Sequence, residues 1–229
     1  MSKTRVLIVE DDPDVASYER EVCERADFTV QIAPNGAQAL ELAAQWSPDV
    51  VLLDVNLPDI SGLDVLTSLS NSSDAFILMV SAASGEDDIL KGLGLGADDY
   101  ITKPFSPGQL VARIQSFLRR RDRHAQREQE GRMTVGNVTL VRDLHVLQNG
   151  ERNVPLTALE FRLLWYLGEG EGRLLTRAQI LEHVWNDVSG VPTRVVDVHV
   201  AALRKKLAEV SANLAIASVR GIGYRLDKP

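Results

Sequence analysis

Short apolar runs with almost no polar interruption recur through the first half of the chain, and a helical pattern follows each of them. Residues 6–9 and 50–53 are the clearest such runs. Uninterrupted apolar runs are typical of parallel strands that are covered on both faces. Five alternating strand and helix patterns predict a doubly wound α/β fold, with a five-stranded parallel sheet and right-handed crossovers.

The elements of this first domain can be placed from their periodicity and their end signals. Strands are predicted at residues 6–9, 28–33, 50–53, 76–80 and 99–102. Helices are predicted at residues 13–26, 36–46, 62–69, 85–95 and 107–121. Asp12 before Pro13 reads as a cap followed by a proline in the first turn, which is a common helix start. The first domain is therefore predicted to span residues 1–121.

The pattern changes after residue 121. Residues 122–131 contain one apolar side chain, Ala125, and are predicted to be a linker because they cannot bury enough surface to order themselves. Short alternating runs at residues 134–141, 144–147 and 153–156 predict a small antiparallel sheet. Helical patterns then cover 157–167, 176–185 and 193–207, and a hairpin covers 216–219 and 224–226. Three helices and a two-stranded wing predict an α+β winged helix-turn-helix domain over residues 132–229.

Charge and composition add information about partners and compartment. Residues 1–119 have a formal charge of −11, whereas residues 132–229 have +3. An acidic half suits metal or phosphate chemistry, and a basic half suits a polyanion. The single cysteine, Cys23, excludes an internal disulfide and fits a reducing compartment. Since no apolar run approaches roughly 18 residues and no signal peptide is evident, we expect a cytoplasmic protein without a membrane span.

Polar side chains stand where four of the predicted strands end. They are Glu10, Asp11 and Asp12 after the first strand, Asp54 after the third, Ser81 after the fourth and Lys103 after the fifth. Because the carboxyl ends of parallel strands meet at one edge of a sheet, we expect these groups to lie together. Carboxylates so close together favour a divalent cation among them.

The oxygen ligands predict a Mg²⁺ site. Asp11 and Asp54 are the expected direct ligands, with the backbone carbonyl of Asn56 as a third, while Glu10 is expected to act through a water.

The same edge has the groups that phosphoryl transfer requires. Asp54 is predicted to accept the phosphoryl group, Lys103 to pair with its oxygens and Ser81 to donate a hydroxyl to it. Taken singly, each acid could be a solvated loop charge, and Asp12 a helix cap only. Their occurrence together at four strand ends favours the chemical interpretation.

Motifs in both halves resemble a known family. Residues 9–12, 53–58, 81–82 and 97–105 resemble the receiver domain of two-component response regulators. Residues 157–161, 196–200 and 219–225 resemble the effector domain of the OmpR/PhoB subfamily. The resemblance implies that a histidine kinase phosphorylates Asp54, that the Lys103–Pro104 peptide is cis, and that Ser81 and Tyr100 reorient as a switch. It also implies a homodimer formed on phosphorylation, regulation of transcription, and no enzymatic activity beyond the protein's own phosphorylation and dephosphorylation.

The third helix of the effector half is expected to enter the major groove of double-stranded DNA. The candidate DNA contacts are Arg194, Val198, His199, Arg204 and Lys205 on this helix, Arg220 at the wing tip for the minor groove, and Trp185, Ser218 and Tyr224 for phosphates. His199 could instead make only a local hydrogen bond, and the basic residues 204–206 could simply complement the helix dipole. Residues 186–192 resemble the family's contact with RNA polymerase.

Two departures from the family pattern concern assembly and DNA binding. Ala201 and Ala202 stand where most members carry basic residues. On the expected dimer face, Ile89 with Gln109 and Gly94 with Gln115 replace two acid–base pairs, while Asp98, Asp99, Arg113 and Arg120 keep the ionic pattern. We therefore expect weak dimerisation.

A phosphorylation-activated transcription factor is the function that the sequence favours. One alternative is a receiver that acts through protein–protein contacts, with weak or no DNA binding. Another is a metal-dependent phosphohydrolase with Asp54 as its nucleophile, which is disfavoured because Asn56 stands where such an enzyme would use a second acid.

Overall fold

The computed structural model of the 229-residue chain describes residues 3–83, 85–127, 131–142, 144–170, 172–185 and 192–228. Of residues 120–127 it describes the backbone. The chain divides into two compact units, Met1–Arg121 and Asp122–Pro229.

The first unit alternates five strands and five helices. They are β1 Arg5–Val9, α1 Pro13–Arg25, β2 Thr29–Ala33, α2 Gly36–Trp46, β3 Val50–Leu53, α3 Gly62–Ser72, β4 Phe76–Ser81, α4 Glu86–Gly94, β5 Asp99–Thr102 and α5 Pro107–Arg127. The sheet order is β2-β1-β3-β4-β5, and every pairing is parallel. The predicted doubly wound fold is confirmed. The strand order reverses between β1 and β3, and in such sheets the crevice for ligands opens at that point.

The apolar runs are the core of this unit. All four residues of β3 and all six of β4 are buried, which explains why their sequences show no polar alternation. Ile8, Leu78 and Ile114 are each completely buried, and Phe76 stacks on Phe117 with ring centroids 4.4 Å apart. Each fully buried aliphatic side chain stabilises the fold by about 1.5–3 kcal/mol.

Local signals set the helix starts. Asp12 caps α1, and its carboxylate accepts hydrogen bonds from the amides of Asp14 at 2.9 Å and Val15 at 3.3 Å. Asn35 caps α2 in the same way through the amide of Gln38. Both side chains satisfy amides that have no partner within the helix.

Helix α5 continues beyond its predicted end at residue 121 and reaches Arg127. Residues 122–127 are therefore helical, which corrects the prediction that the whole of 122–131 is linker. The segment lacks an apolar stripe, but most of its residues are acceptable helix formers, and extending an existing helix avoids the cost of nucleation. Residues 128–130 lie outside the described part of the chain.

In its described residues, the second unit contains two small sheets and three helices. Its elements are β6 Arg132–Val135, β7 Val138–Val141, β8 Val146–Asn149, β9 Arg152–Pro155, α6 Ala158–Glu169, β10 Leu175–Thr176, α7 Arg177–Trp185, α8 Arg194–Glu209, β11 Ala215–Val219 and β12 Gly223–Asp227. Strands β6 to β9 form an antiparallel sheet in sequence order, and the other sheet has the order β10-β12-β11. The predicted winged helix-turn-helix is confirmed.

Two details of the second unit differ from the sequence prediction. The run 134–141 is two strands, because Gly136 turns the chain with a φ of +59° between them. The wing has a third strand, β10, which is too short to show a periodic pattern. The absence of a side chain at Gly223 makes room for β10, since a Cβ at this position would lie 1.9 Å from the carbonyl oxygen of Leu175.

The start of α6 is a complete capping box. The Thr157 amide donates to the Glu160 carboxylate at 2.9 Å, and the Glu160 amide donates to the Thr157 hydroxyl at 3.2 Å. Lys206 of α8 also donates to Glu160, at 2.6 Å, so this cap fixes α8 to α6 as well.

Gly62 provides a test of the packing beside β3. A Cβ on this residue would lie 1.9 Å from the Asp54 carbonyl oxygen, so Gly62→Ala should lower the free energy of unfolding of the first unit by about 1–3 kcal/mol. Gly108→Ala is the control, since nothing lies within 4 Å of its added Cβ, and it should be neutral or stabilising by up to about 1 kcal/mol. Urea unfolding followed by circular dichroism measures both. Equal stability of the two variants would contradict the close contact at Gly62.

Candidate functional site

Three carboxylates converge at the carboxyl edge of the parallel sheet. In the register of β1 and β3, Val9 lies opposite Leu53, and the Asp54 amide donates to the Val9 carbonyl at 3.0 Å. This pairing places the acids after β1 beside Asp54. One oxygen from each of Glu10, Asp11 and Asp54 can lie within 4.8 Å of the others. Glu10 and Asp54 are buried, whereas Asp11 is exposed.

Lys103 lies among these acids. Its Nζ donates to Glu10 Oε2 at 2.6 Å and to Asp54 Oδ2 at 2.7 Å. The Lys103 amide donates to the Ser81 carbonyl at 2.8 Å, which extends the pairing of β4 with β5 and directs the side chain toward the edge. The peptide bond between Lys103 and Pro104 is cis.

The charges of the pocket depend on one another. Burial alone would lower the pKa of Lys103, but hydrogen bonds to Asp54 and Glu10 outweigh it and raise that pKa. Burial raises the pKa of Glu10, although the ammonium of Lys103 opposes this rise. The second oxygen of Asp54, Oδ1, accepts from the Asn56 amide at 3.2 Å.

The oxygen donors of this pocket fit Mg²⁺, which prefers carboxylate ligands. The structure brings Glu10, Asp11 and Asp54 together as the sequence predicts. A ligand role for the carbonyl of Asn56 stays a prediction.

Ser81 and Tyr100 meet at the loop that follows β4. The Ser81 hydroxyl is buried and accepts from the Ala83 amide at 3.2 Å. Tyr100 donates its hydroxyl to the Ala83 carbonyl at 2.9 Å, and burial raises the pKa of its phenol. The ring packs closely on Gly92 of α4, where an added Cβ would lie 3.4 Å from two ring atoms.

Glu19, on α1, is a buried acid that the sequence analysis missed. It is 1 % exposed, and its Oε1 is buried with no hydrogen-bond partner among the described residues. Burial, followed by the negative charge of Glu10, raises its pKa to about 8, while Lys103 opposes the rise. Its helical spacing from Ala16 and Cys23, both inward-facing apolar residues, could have identified it.

Asp59 is a second missed residue. It lies in the loop after Asp54, and its two carboxylate oxygens accept from the amides of Gly36 and Ala37, each at 2.9 Å. These hydrogen bonds lower the pKa of Asp59 and cap α2 from outside its own sequence. Because Asp59 is 23 residues from Gly36, no local pattern reveals this cap.

The acids predicted for the dimer face point inward. Asp98 is buried, and its Oδ2 accepts from the Ile77 amide at 2.8 Å. Asp99 pairs with Arg113 at 2.6 Å, and burial raises its pKa to about 6 against the effect of that arginine. Both acids therefore have partners within the receiver, and their role at a dimer face stays a prediction. The side chain of Arg120 lies outside the described part.

The candidate DNA contacts divide by exposure. Exposed candidates are Arg194, Val198, Arg204, Lys205, Ser218 and Arg220. His199 and Trp185 are each 2 % exposed, with ring centroids 5.4 Å apart, and Tyr224 is 4 % exposed. These three side chains are largely buried in the described part of the domain, and their roles as DNA contacts stay predictions.

Several polar candidates hold the wing against α8. Arg204 donates to the Ile216 carbonyl at 3.0 Å and to the Ser218 hydroxyl at 2.7 Å. Asp197 accepts from the Tyr224 hydroxyl at 2.6 Å and from Arg177 at 2.8 Å. Residues 186–191, in the loop proposed to contact RNA polymerase, lie outside the described part.

Known proteins resemble this chain over nearly its whole length. Family models described as "Response regulator receiver domain" and "Transcriptional regulatory protein, C terminal" match residues 6–115 and 150–226. The chain is 38 % identical to the alkaline phosphatase synthesis transcriptional regulatory protein PhoP of Bacillus subtilis, over 98 % of this chain and 97 % of that protein. It is 38 % identical to the sensory transduction protein RegX3 of Mycolicibacterium smegmatis, over 98 % and 99 %. A solved RitR mutant superposes with a TM-score of 0.82 at 31 % identity, over 99 % and 100 %.

Among the described residues, the longest helices are too polar, and the apolar ones too short, for a membrane span.

Glu19 predicts a pH-dependent stability. Below about pH 4.5 the acid is protonated in the folded and unfolded states. Between about pH 4.5 and 8 the unfolded state releases the proton first, so wild type should lose up to about 1.4 kcal/mol of stability per pH unit relative to Glu19→Gln. Unfolding in urea at pH 5, 6.5 and 8 measures the slope. Glu21→Gln, at an exposed position of the same helix, is the control. Identical slopes for all three proteins would contradict a raised pKa of the buried Glu19 carboxyl.

Proposed function

The chain belongs to the response regulators that join a receiver to a DNA-binding transcriptional regulatory domain, and on this basis we propose that phosphorylation of Asp54 controls its regulation of transcription. The observation that carries the assignment is the pairing of Asp54 with Lys103 inside the acidic pocket. The ammonium of Lys103 can pair with phosphoryl oxygens. Glu10 and Asp11, together with Asp54, can hold a divalent cation beside them.

The proposed phosphodonor is a phosphohistidine on a histidine kinase. A carboxylate oxygen of Asp54 forms the new P–O bond, the P–N bond breaks, and the imidazole leaves with its electron pair and takes up a proton. Asp54 is buried, with 8 % of its surface exposed, and it follows β3 at the carboxyl edge of the sheet, where the phosphohistidine would have to approach. No further substrate is proposed, and the chemistry is limited to the protein's own phosphorylation and dephosphorylation.

The neighbours of Asp54 have separate proposed roles. Lys103 moves its hydrogen bond from the carboxylate to a phosphoryl oxygen, and Ser81 donates its hydroxyl to another oxygen. Glu10, Asp11, Asp54 and the carbonyl of Asn56 would hold Mg²⁺, with Glu10 acting through a water. When bound, this ion neutralises charge on the phosphoryl oxygens.

The proposed switch is the pair Ser81 and Tyr100. Both bond to Ala83, Ser81 as acceptor from its amide and Tyr100 as donor to its carbonyl. A hydroxyl can donate and accept at once, so Ser81 would link a phosphoryl oxygen directly to this loop when it turns its proton toward the phosphoryl group. Tyr100 would respond because its hydroxyl bonds to the same residue.

Assembly follows from the same site in this proposal. The receiver would form a symmetric homodimer on phosphorylation. The dimer would be weak, because two of the expected ion pairs are missing and the remaining acids are bonded within the receiver. The neutral residues at the places of the missing pairs are Ile89, Gly94, Gln109 and Gln115, and the internally bonded acids are Asp98 and Asp99.

Residues 186–192 are the proposed contact with RNA polymerase. On DNA, the exposed face of α8 would lie in the major groove and Arg220 in the minor groove.

The phosphorylation site can be tested with two acids that flank the same strand. Asp54 follows β3 and Asp49 precedes it. With Mg²⁺ and acetyl phosphate, wild type and Asp49→Asn should each gain one base-labile phosphate, while Asp54→Ala gains none. Intact-mass spectrometry measures the added phosphate. In footprinting on genomic DNA, the Asp54 variant should protect its sites more weakly than wild type does. Phosphate on Asp54→Ala at the wild-type level would disprove the assignment.

Two adjacent lysines test the DNA-binding face. Lys205 is exposed, whereas Lys206 donates to Glu160 at 2.6 Å and to the Pro155 carbonyl at 2.8 Å. Lys205→Ala should lower the slope of log K against log salt by about 0.9 and leave the melting temperature unchanged. Lys206→Ala should lower the melting temperature and leave the slope unchanged. Fluorescence anisotropy and calorimetry measure the two quantities, and a reversed pattern would show that Lys206 faces DNA.

A further inference from the structure

A cavity lies between the ends of α2 and α3, at the amino edge of the receiver sheet. Its volume is about 540 Å³, within the range of roughly 300–1,000 Å³ that small-molecule sites occupy. Half of its twelve lining residues are alanine or serine, so short side chains leave the space unfilled. The cavity is at the edge opposite the phosphorylation site, because Asp49 in its lining precedes β3 and Asp54 follows that strand.

The inner wall of the cavity is apolar. Leu40 and Ala43 come from α2, Leu69 comes from α3, and Ala75 precedes β4. Ala43, Leu69 and Ala75 are 7 %, 2 % and 5 % exposed, so they belong to the packed interior of the receiver. A wall of this kind favours an aliphatic group, which leaves water when it enters the cavity.

Charged side chains stand beside this wall. Asp49 accepts a hydrogen bond from the Arg5 amide at 2.8 Å, and the Arg5 side chain donates to the Trp46 carbonyl at 2.5 Å. Asp74, the second acid of the lining, is exposed. One arginine and two aspartates give the lining a formal charge of −1, in a half of the chain that is itself acidic. This sign favours a cation over an anion.

We propose that this cavity binds a small aliphatic amine, with the stem of the ligand against Leu40, Ala43 and Leu69 and its ammonium beside the two acids. An ammonium donates several hydrogen bonds, and a carboxylate accepts more than one. Asp49 and Asp74 can therefore accept from the ligand in addition to the partners that they already have. The site is separate from the acidic pocket, and it does not rest on the proposed function.

Three probes with the same six-carbon stem distinguish the contributions of charge and of apolar contact. Hexylamine, 1-hexanol and hexanoate are titrated into the full chain, labelled with nitrogen-15, at neutral pH and fixed ionic strength. Hexylamine should cause saturable shifts of the amide signals of Ser47 and Ser73, which line the cavity. 1-Hexanol should bind about two- to fivefold more weakly, on the scale of an exposed ion pair. Hexanoate should cause no saturable shift, because its charge has the same sign as that of the lining.

Two pairs of variants locate the ligand. Ala44→Phe places a bulky side chain in the cavity from an exposed position of α2, and it should abolish the hexylamine shifts. Gln45→Phe is its control, since Gln45 is exposed on the same helix and is not part of the lining. Asp74→Asn should weaken hexylamine binding by about two- to fivefold. Asp64→Asn removes an exposed acid of α3 that does not line the cavity, and it should leave binding unchanged.

Melting temperatures establish which variants are folded, and Asp74→Asn decides the question if Ala44→Phe is not. The proposal is wrong if hexylamine causes no saturable shift in wild type, or if hexanoate binds as tightly as hexylamine. It is also wrong if the folded variants of Ala44 and Asp74 bind hexylamine as wild type does. None of these results would affect the phosphorylation of Asp54 or the binding of DNA, so failure of this site is distinguishable from failure of the proposed function.

Discussion

The ammonium of Lys103 is the group on which the phosphorylation site depends. Parallel pairing of β1, β3, β4 and β5 brings strand ends to one edge, so the position of each charge follows from the sheet register. Placing Glu10 and Asp54 side by side in a partly buried pocket is unfavourable unless a cation lies between them. Lys103 fills that role at 2.6 and 2.7 Å from the two acids. In the proposed function, a phosphoryl group that enters the pocket would meet donors that the fold has already oriented.

The elements that the sequence predicts well are those whose signal is local. Uninterrupted apolar strands and the Asp12 cap appear in the structure at the predicted places. His199 has the polarity of a DNA contact, yet it is buried beside Trp185. Its helical spacing from Val196 and Leu203 places it on the apolar face of α8, a signal that its polarity hides. Asp59 differs, because the cap that it gives to α2 depends on tertiary structure and no local pattern reveals it.

The effector half shows why basic residues are poor guides to a DNA surface. Arg177, Arg204 and Lys206 would all count as candidate contacts by charge, but each is hydrogen-bonded to another element of the domain. These ties hold α7, α8 and the wing in a fixed arrangement. A rigid reading surface binds with a smaller loss of conformational entropy than a flexible one.

The two loops beside Asp54 differ in mechanical stiffness. The loop after β3 is bonded to the start of α2 through both carboxylate oxygens of Asp59, and it packs closely on Gly62. Moving this loop would therefore break two hydrogen bonds to the first turn of α2. The loop after β4 leads into α4, whose N-cap residue, Gly85, provides no side-chain cap. The helix itself contains Gly92 and Gly94, and glycine weakens a helix. A structural change at the pocket should therefore affect the loop after β4 and the start of α4 more than the loop after β3. Tyr100 of β5 bonds to Ala83 in this loop and packs on Gly92 of α4, so a displacement of the loop would change the surroundings of Tyr100 from two sides.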